Sequence, residues 1–363
     1  MKVLQVLPNA GSGLEHFLAP LLPIWRAQGI ETHVVYCSDR SSPLPAVVEQ
    51  AHSAVAFSDR HGFARRSREM QRIIGMQRPD VVHTHSLIPS ALVAAALVGA
   101  SAKVVRTVHS TYPYFAPSTV LNALKRRGEA AILRVTRSHL VCVSDTVRQS
   151  LPPSYPRVRR VIHNGVDVRS RSSHTNVRDC PPVVVSLGRL EVEKRFDLLV
   201  AAFAQLLERG TAARLVVAGE GSQRQRLQEL TRELGVQDAV EFPGFIKNTA
   251  ALLDRASVFV CTSRFEGLGL SVLEAMAESC PVVSVPIPAL TEVASLCEDA
   301  MIITADASAA AIAGAMERIL RDEALRSRLS DAGPHAIRRH FSASACASEY
   351  SSLFRSLKAS DAR

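Results

Sequence analysis

The chain has 363 residues, too many for one ordinary hydrophobic core and suited to two domains. A composition 47% hydrophobic and 21% charged excludes a disordered tail, a collagen-like fibre and a small disulfide scaffold. Charge is uneven: residues 1–180 carry 23 Lys/Arg against 11 Asp/Glu, net +12, and the remainder carries 20 against 23, net −3. A basic half joined to a faintly acidic half leads us to expect an anionic partner for the first half alone.

The seven cysteines are scattered, with no C-x-x-C and no Cys/His cluster, so neither structural zinc nor a disulfide framework is expected. Most sit in apolar runs such as Leu140-Val-Cys142-Val, as small core residues in a reducing cytosol would. The N-terminus enters a strand-like run at Lys2–Leu7 without a charged leader. The uncharged stretch Leu87–Ala100 contains Pro89 and falls short of a span, so any membrane contact is expected at the surface.

Strands are predicted at Val3–Leu7, Thr32–Tyr36, Val81–Thr84, Val104–Val108, Leu140–Val143 and Val158–Ile162, with helices at Leu14–Gln28, Arg66–Gln77, Ser90–Val98 and Thr119–Arg137 between them. Strands with few polar interruptions, alternating with helices, predict a doubly wound parallel sheet. Residues 167–182, rich in Arg, Ser and Asn and ending in Pro181-Pro182, read as a linker. A second array follows: strands at Val183–Leu187, Leu215–Ala218, Val240–Phe242, Val258–Cys261 and Val282–Val285, and helices at Phe196–Arg209, Gln223–Leu234, Asn248–Asp254 and Leu270–Ala277. Helices Ser308–Arg321, Glu323–Arg339 and Ala343–Leu357 close the chain. The expected domains are thus 1–166 and 183–340, with 341–363 able to return to the first. Ligands of such sheets bind beyond the carboxyl ends of the strands.

At those ends lie the chemical candidates. Gly11-Ser-Gly13 opens a helix after the first strand, where glycine lets backbone approach an anion. Gly188-Arg189 followed by Lys194 suits a diphosphate, although Glu191, Glu193 and Asp197 offer those cations a purely structural role. Gly219-Glu-Gly221 is a strand-to-helix turn. Glu266 precedes the helix that contains Glu274, and two carboxylates so placed can accept hydrogen bonds from vicinal hydroxyls of ribose or hexose. Apolar neighbours Val272, Leu273, Ala275 and Met276 mean that Glu274 needs partners. His109 follows a strand, with a structural role open to it as well as a catalytic one. His83 and His85 alternate near another strand end without a carboxylate at metal-ligand spacing, and are read as structural.

Together these motifs, above all Glu266-Gly-Leu-Gly-Leu-Ser-Val-Leu-Glu274, resemble the retaining glycosyltransferases of family 4, with the E-x7-E signature and the GT-B fold of two Rossmann-like domains facing across a cleft. Pro79-Asp-Val-Val-His83, Asn164-Gly165 and Ser12-Gly13-Leu-Glu15 support it. The resemblance implies that the second domain binds a nucleotide-diphosphate sugar, a UDP- or GDP-sugar, as donor substrate. It implies that Arg189 and Lys194 hold the diphosphate and offset leaving-group charge, and that Glu274 takes the ribose. Glu266 would contact the donor sugar, Gly13 would let the first-domain loop approach the phosphates, and His109 would lie near the sugar. Gly188, Gly219, Gly221, Leu268, Gly269 and Leu270 complete the implied donor-binding set. No D-x-D occurs, so neither metal nor cofactor is expected. The first domain would take a lipid-linked or glycan acceptor, in polysaccharide, lipopolysaccharide or glycolipid assembly, or else a small soluble acceptor. Basic clusters such as Lys125-Arg126-Arg127 suggest a peripheral, cytoplasmic protein touching an anionic membrane surface, and no nucleic-acid motif appears. Three departures from the family pattern stand out: Ser12 and Ser279 replace glycines, and Pro288-Ala289 replaces a Gly-Gly pair in what reads as a loop. They keep open a non-catalytic nucleotide-sugar-binding partner. An epimerase acting on nucleotide sugars is a further alternative.

Overall fold

The computed structural model describes residues 1–9, 13–39, 45–97, 101–111, 120–156, 158–168 and 181–360. The chain divides into two compact units, Met1–Gly165 with Ala343–Arg363, and Val166–Ser342. Most of the expected linker falls at 169–180, outside the described residues.

The first unit is built on parallel strands β1 (Lys2–Leu7), β2 (Glu31–Tyr36), β3 (Ser53–Ala56), β4 (Val81–Thr84), β5 (Lys103–Val108), β6 (His139–Cys142) and β7 (Val158–Val161). Their order is β3-β2-β1-β4-β5-β6-β7, so the winding reverses between β1 and β4, where Val3 pairs with Val81. Five of six residues in each of β1, β2 and β5 are buried, as expected of strands covered on both faces. The helices are α1 (Gly13–Leu18), α2 (Leu21–Ala27), α3 (Pro45–Gln50), α4 (Phe63–Gln77), α5 (Leu87–Ala96), α6 (Val120–Val135) and α7 (Asp145–Ser150). The single helix expected over Leu14–Gln28 is two, because Pro20 lacks an N–H and stands as the N-cap of α2.

The second unit repeats the plan with β8 (Val183–Leu187), α8 (Phe196–Glu208), β9 (Arg214–Ala218), α9 (Arg224–Glu233), β10 (Val240–Gly244), α10 (Thr249–Arg255), β11 (Val258–Cys261), α11 (Leu270–Ala277) and β12 (Val282–Ser284). Then come α12 (Pro288–Leu296), β13 (Ile302–Ile303), α13 (Ala309–Arg321) and α14 (Glu323–His340). Its parallel order is β10-β9-β8-β11-β12-β13, reversing between β8 and β11. Pro288-Ala289, expected in a loop, is instead the first turn of α12, where a fixed φ and a missing N–H cost a helix nothing.

The last helix, α15 (Ala343–Ala359), packs on the first unit. Trp25 Nε1 donates to Ala347 O at 3.0 Å, and the rings of Tyr350 and Phe354 lie 6.2 and 5.7 Å from that of Trp25.

Candidate active site

In the second unit the candidate residues gather past the carboxyl ends of β8, β9 and β11. The turn after β8 is laid on the turn after β9: Gly188 N donates to Ala218 O at 3.0 Å, and Leu190 N to Glu220 O at 2.8 Å. Only glycine permits this approach. Gly219 has φ +146°, and a Cβ on it would fall 1.8 Å from Gly188 O; one on Gly221 would fall 2.4 Å from Leu190 O. These glycines therefore seat one backbone turn on another and fix where Gly188 leads the chain.

From there a single 3₁₀ turn, Val192–Lys194, ends at Arg195, whose left-handed conformation (φ 51°) turns the chain into α8. Lys194 Nζ lies 2.5 Å from Glu266 Oε1, and Ser263 Oγ donates to the same oxygen at 2.7 Å. Two contacts hold the two segments together: Thr262 Oγ1 donates to Lys194 O at 2.9 Å, and Arg264 N to Glu193 O at 2.8 Å. The paired side chains keep 19% and 15% of their surface exposed, so a ligand can reach both. Burial pushes the Lys194 ammonium down, but the Glu266 carboxylate more than offsets it and the pKa is raised. The lysine stays cationic. Cys261, buried behind the pair, donates to Ser263 Oγ at 3.5 Å; burial and the Glu266 charge push its thiol up, away from nucleophilic reactivity.

Three residues after Glu266, Gly269 caps α11 in a left-handed conformation (φ 84°). Leu268 and Gly269 are buried and Leu270 is half-buried. The opening amides of such a helix have no intrahelical partner and carry its positive dipole end. Glu274, one turn further, is half-buried, whereas Val272, Leu273, Ala275 and Met276 on either side are buried. The helix thus turns its carboxylate out of the apolar packing around it.

Lys194 and Glu266 are brought into contact, and Glu274 is placed on the helix that follows. Arg189 is not joined to them: its side chain is 73% exposed and pairs with Glu193 at 3.0 Å, the structural role its acidic neighbours allowed. Ser263 and Thr262 escaped the sequence reading, although a polar Thr-Ser-Arg triplet directly after the apolar β11 was the available signal.

In the first unit, Gly13 is the first residue of α1, and a Cβ there would meet nothing within 4 Å. Gly11 and Ser12 lie outside the described residues. Glu15 is buried and accepts from Tyr36 Oη at 2.7 Å; burial and that carboxylate push the phenol up.

Imidazoles cluster at the ends of β4 and β5. His109 Nε2 lies 2.9 Å from His85 Nδ1, and His85 Nε2 lies 2.8 Å from Gln5 Oε1 on β1. His83 Nε2 lies 2.7 Å from Thr107 Oγ1, which is 2.9 Å from Tyr350 Oη on α15. Phe17 packs against the rings of His85 and His109. His83 and His85 are buried, while His109 retains partial exposure. Burial, with the charge of Arg106 nearby, lowers all three, His109 to about 3. All three are neutral at pH 7. Among the described residues no group of three or more His, Cys, Asp or Glu is arranged to hold a metal ion.

Comparison with known proteins agrees in both halves. Residues 11–170 match the model described as Glycosyltransferase Family 4, and residues 169–336 the one described as Glycosyl transferases group 1. Glycogen synthase of Mycobacterium tuberculosis is 30% identical over 273 residues, 73% of this chain and 66% of that protein. Alpha-monoglucosyldiacylglycerol synthase of Streptococcus pneumoniae is 27% identical over 250 residues, 63% of this chain and 57% of that protein. The match thus spans no more than about two thirds of either relative. Among solved structures, Anabaena HepE in complex with UDP and glucose superposes with a TM-score of 0.81 at 17% identity, covering 97% of this chain and 99% of that one. Sucrose-phosphate synthase of Thermosynechococcus elongatus gives 0.82 at 20% identity, covering 99% and 100%. With the two family models together matching residues 11–336 and two parallel-sheet units of the GT-B fold, the chain belongs to the family 4 glycosyltransferases.

Proposed function

We propose that the chain transfers a sugar from a nucleotide-diphosphate sugar to a glycan or lipid-linked acceptor, with retention at the anomeric carbon. The observation that carries this reading is the Lys194–Glu266 pair, two opposite charges in contact and still reachable where β8 and β11 end. A diphosphate would draw the Lys194 ammonium, and the long exposed side chain of Arg189 would leave Glu193 to join it. The amides of Leu268–Leu270, leading into the N-terminus of α11, would add a preorganised dipole for charge developing on the departing diphosphate. Glu266, relieved of Lys194, would accept from donor-sugar hydroxyls, and Glu274 from the ribose. The proposed route is same-face, through an oxocarbenium-like state, and asks no second carboxylate to act as a nucleophile. No step is routed through a metal or a cofactor.

The HepE structure with UDP and glucose supports a uridine donor, and the monoglucosyldiacylglycerol synthase relative supports a glycolipid product. A membrane-facing surface fits the same reading. On α6, Val120, Leu124 and Val135 are 79%, 57% and 79% exposed, beside Lys125, Arg127 and Arg134. An apolar stripe flanked by cations suits an anionic lipid interface, and no described helix is long and apolar enough to cross a membrane.

Thermal stabilisation by UDP, GDP and their hexose conjugates, read beside transfer and donor hydrolysis, tests the function. A bound nucleotide raises the melting point by mass action. Stabilisation without turnover across the donor panel would favour the non-catalytic partner instead; no stabilisation by any nucleotide would overturn the donor site. Co-sedimentation with anionic vesicles, lost with added salt and in Leu124→Ser/Arg127→Gln, tests the surface.

A further inference from the structure

Three side chains on neighbouring strands of the first unit form one hydrogen-bonded line: Gln5, His85 and His109, with contacts of 2.8 and 2.9 Å. Gln5 on β1 and His85 beyond β4 are buried, and only His109, beyond β5, reaches solvent in part. We propose that Gln5 and His85 are positioning residues that fix the tautomer of His109, so that its Nδ1 presents a lone pair to a neutral sugar hydroxyl. This rests on the glycosyltransferase reading above.

The argument is one of donors and acceptors. Gln5 Oε1 can only accept, so His85 Nε2 carries the proton of that bond. A neutral His85 then has a bare Nδ1, which accepts from His109 Nε2–H. A neutral His109 with its proton on Nε2 has a bare Nδ1, and no described hydrogen bond of this residue uses that atom. Burial, together with the guanidinium of Arg106, keeps both imidazoles neutral. The other titratable groups around them are His83 on β4, whose ring lies 4.2 Å from that of His85, and Tyr350 on α15, packed against the rings of His83 and Phe17. The line is anchored at its far end, because Phe17 packs on both rings and restricts their rotation.

The consequence is selectivity. A lone pair in a partly buried setting accepts from an O–H and repels a carboxylate. The site should therefore take a neutral hydroxyl and disfavour a carboxylate at the same position, since a carboxylate offers no proton to Nδ1. The hydroxyl belongs either to the transferred sugar or to the acceptor, and the chemistry is the same for both.

Two-bond ¹⁵N–¹H spectra of the ¹⁵N-histidine-labelled full chain test the tautomer directly. The expected pattern is a protonated Nε2 and a bare Nδ1 for both His85 and His109; the opposite pattern in either overturns the proposal. Addition of UDP-glucose or of methyl α-glucoside should shift the His109 Nδ1 signal, and whichever does so identifies the source of the hydroxyl. No shift with either overturns the ligand role. In kinetics, Gln5→Leu should lower kcat/KM about tenfold or more at pH 7. Gln5→Glu still accepts and should restore activity at pH 8, with an acid limb moved up into the range 5–7 because the carboxylate favours imidazolium. A structural role alone would not move that limb, so an unchanged profile counts against the chain. Should Gln5→Leu fail to fold, the spectra of the unsubstituted protein decide. They are independent of nucleotide stabilisation, which tests Lys194 and Glu274, so failure of one reading is distinguishable from failure of the other.

Discussion

Lys194 and Glu266, 72 residues apart in the chain, meet at 2.5 Å through an ammonium and a carboxylate oxygen that Ser263 also supplies with a hydrogen bond. The carboxylate is thereby held at a fixed point by two donors, with both members of the pair still partly exposed. Breaking this pair from either side has different consequences. Lys194→Ala removes the charge that would meet the departing diphosphate, and kcat is expected to fall about 10²–10³-fold, the size seen when one preorganised donor is removed. It should weaken nucleotide stabilisation as well. Glu266→Gln keeps an acceptor for Ser263 and leaves Lys194 free to bind phosphate. It should cut turnover with little loss of nucleotide affinity, and an unchanged rate would remove Glu266 from the site.

The same pair sets an alkaline limit. The folded pKa of Lys194 lies above its ordinary value of 10.5. Its contribution to stability is therefore complete below that value and is lost as pH rises through the raised one. Melting points measured from pH 9 to 12 should show an alkaline decline that is shallower in Glu266→Gln.

Glycines distinguish packing from ligand approach. Gly219→Ala would place a methyl 1.8 Å from a backbone oxygen that cannot swing aside, at a φ few side chains adopt. A loss of about 2–4 kcal/mol in unfolding free energy is expected, with donor binding lost alongside. Gly13→Ala meets nothing within 4 Å and should leave the melting point within about a degree. Turnover that falls in Gly13→Ala at constant stability would mark a ligand passing close to that backbone. Equal melting points for the two variants would refute the packing role given to Gly219.

What the sequence discloses follows from how each feature is built. Strands such as β8, buried at every position, announce themselves as continuous apolar runs. The edge strand β3 has no fully buried residue, and β13 is only two residues long, so neither carries such a run. Pro288-Ala289 at the start of α12 reads as a loop because proline has two meanings, loop and helix start, and only the flanking geometry chooses between them. Among the site residues, Glu266 and Lys194 are legible through spacing within their motifs. Their contact is not, since it depends on β8 and β11 being neighbours in a sheet ordered β10-β9-β8-β11. The link from Gln5 to His109 is hidden for the same reason: it crosses three strands, and each member looks alone in its own segment.

The buried imidazoles make the fold acid-sensitive in a defined window. Unfolded histidine titrates near 6.5, whereas His109 is held down to about 3, with His83 and His85 lowered as well. Above 6.5 neither state takes up these protons, and stability is at its full value. As pH falls from 6.5 toward 3, only the unfolded chain binds them, so stability declines. His83→Phe would replace a ring already packed 5.2 Å from Tyr350 and 5.6 Å from Phe354, and leaves Thr107 its bond to Tyr350. The expected result is a smaller drop in melting point between pH 7 and 5, equivalent to about one fewer proton taken up on unfolding. An identical slope would mean that His83 is already charged in the native state.

The return of α15 to the first unit offers a test with a built-in reporter, because Trp25 is the single tryptophan of the chain and donates to Ala347 of that helix. Phe354 is fully buried, its ring centred 5.7 Å from that of Trp25 and 5.6 Å from that of His83. Phe354→Ala leaves a cavity in this packing and should cost about 3–5 kcal/mol, seen as an earlier red shift of Trp25 emission on denaturant titration. Tyr350→Phe removes only the hydroxyl, and Thr107 keeps His83 as a partner, so a cost of about 1 kcal/mol is expected. The ordering of the two variants follows from a cavity being dearer than one lost hydrogen bond whose partner remains satisfied. If Tyr350→Phe proved the more damaging, the Thr107–Tyr350 bond would be holding the strand ends in place, and α15 would act on the imidazoles of β4 and β5 through that hydroxyl rather than through its apolar face.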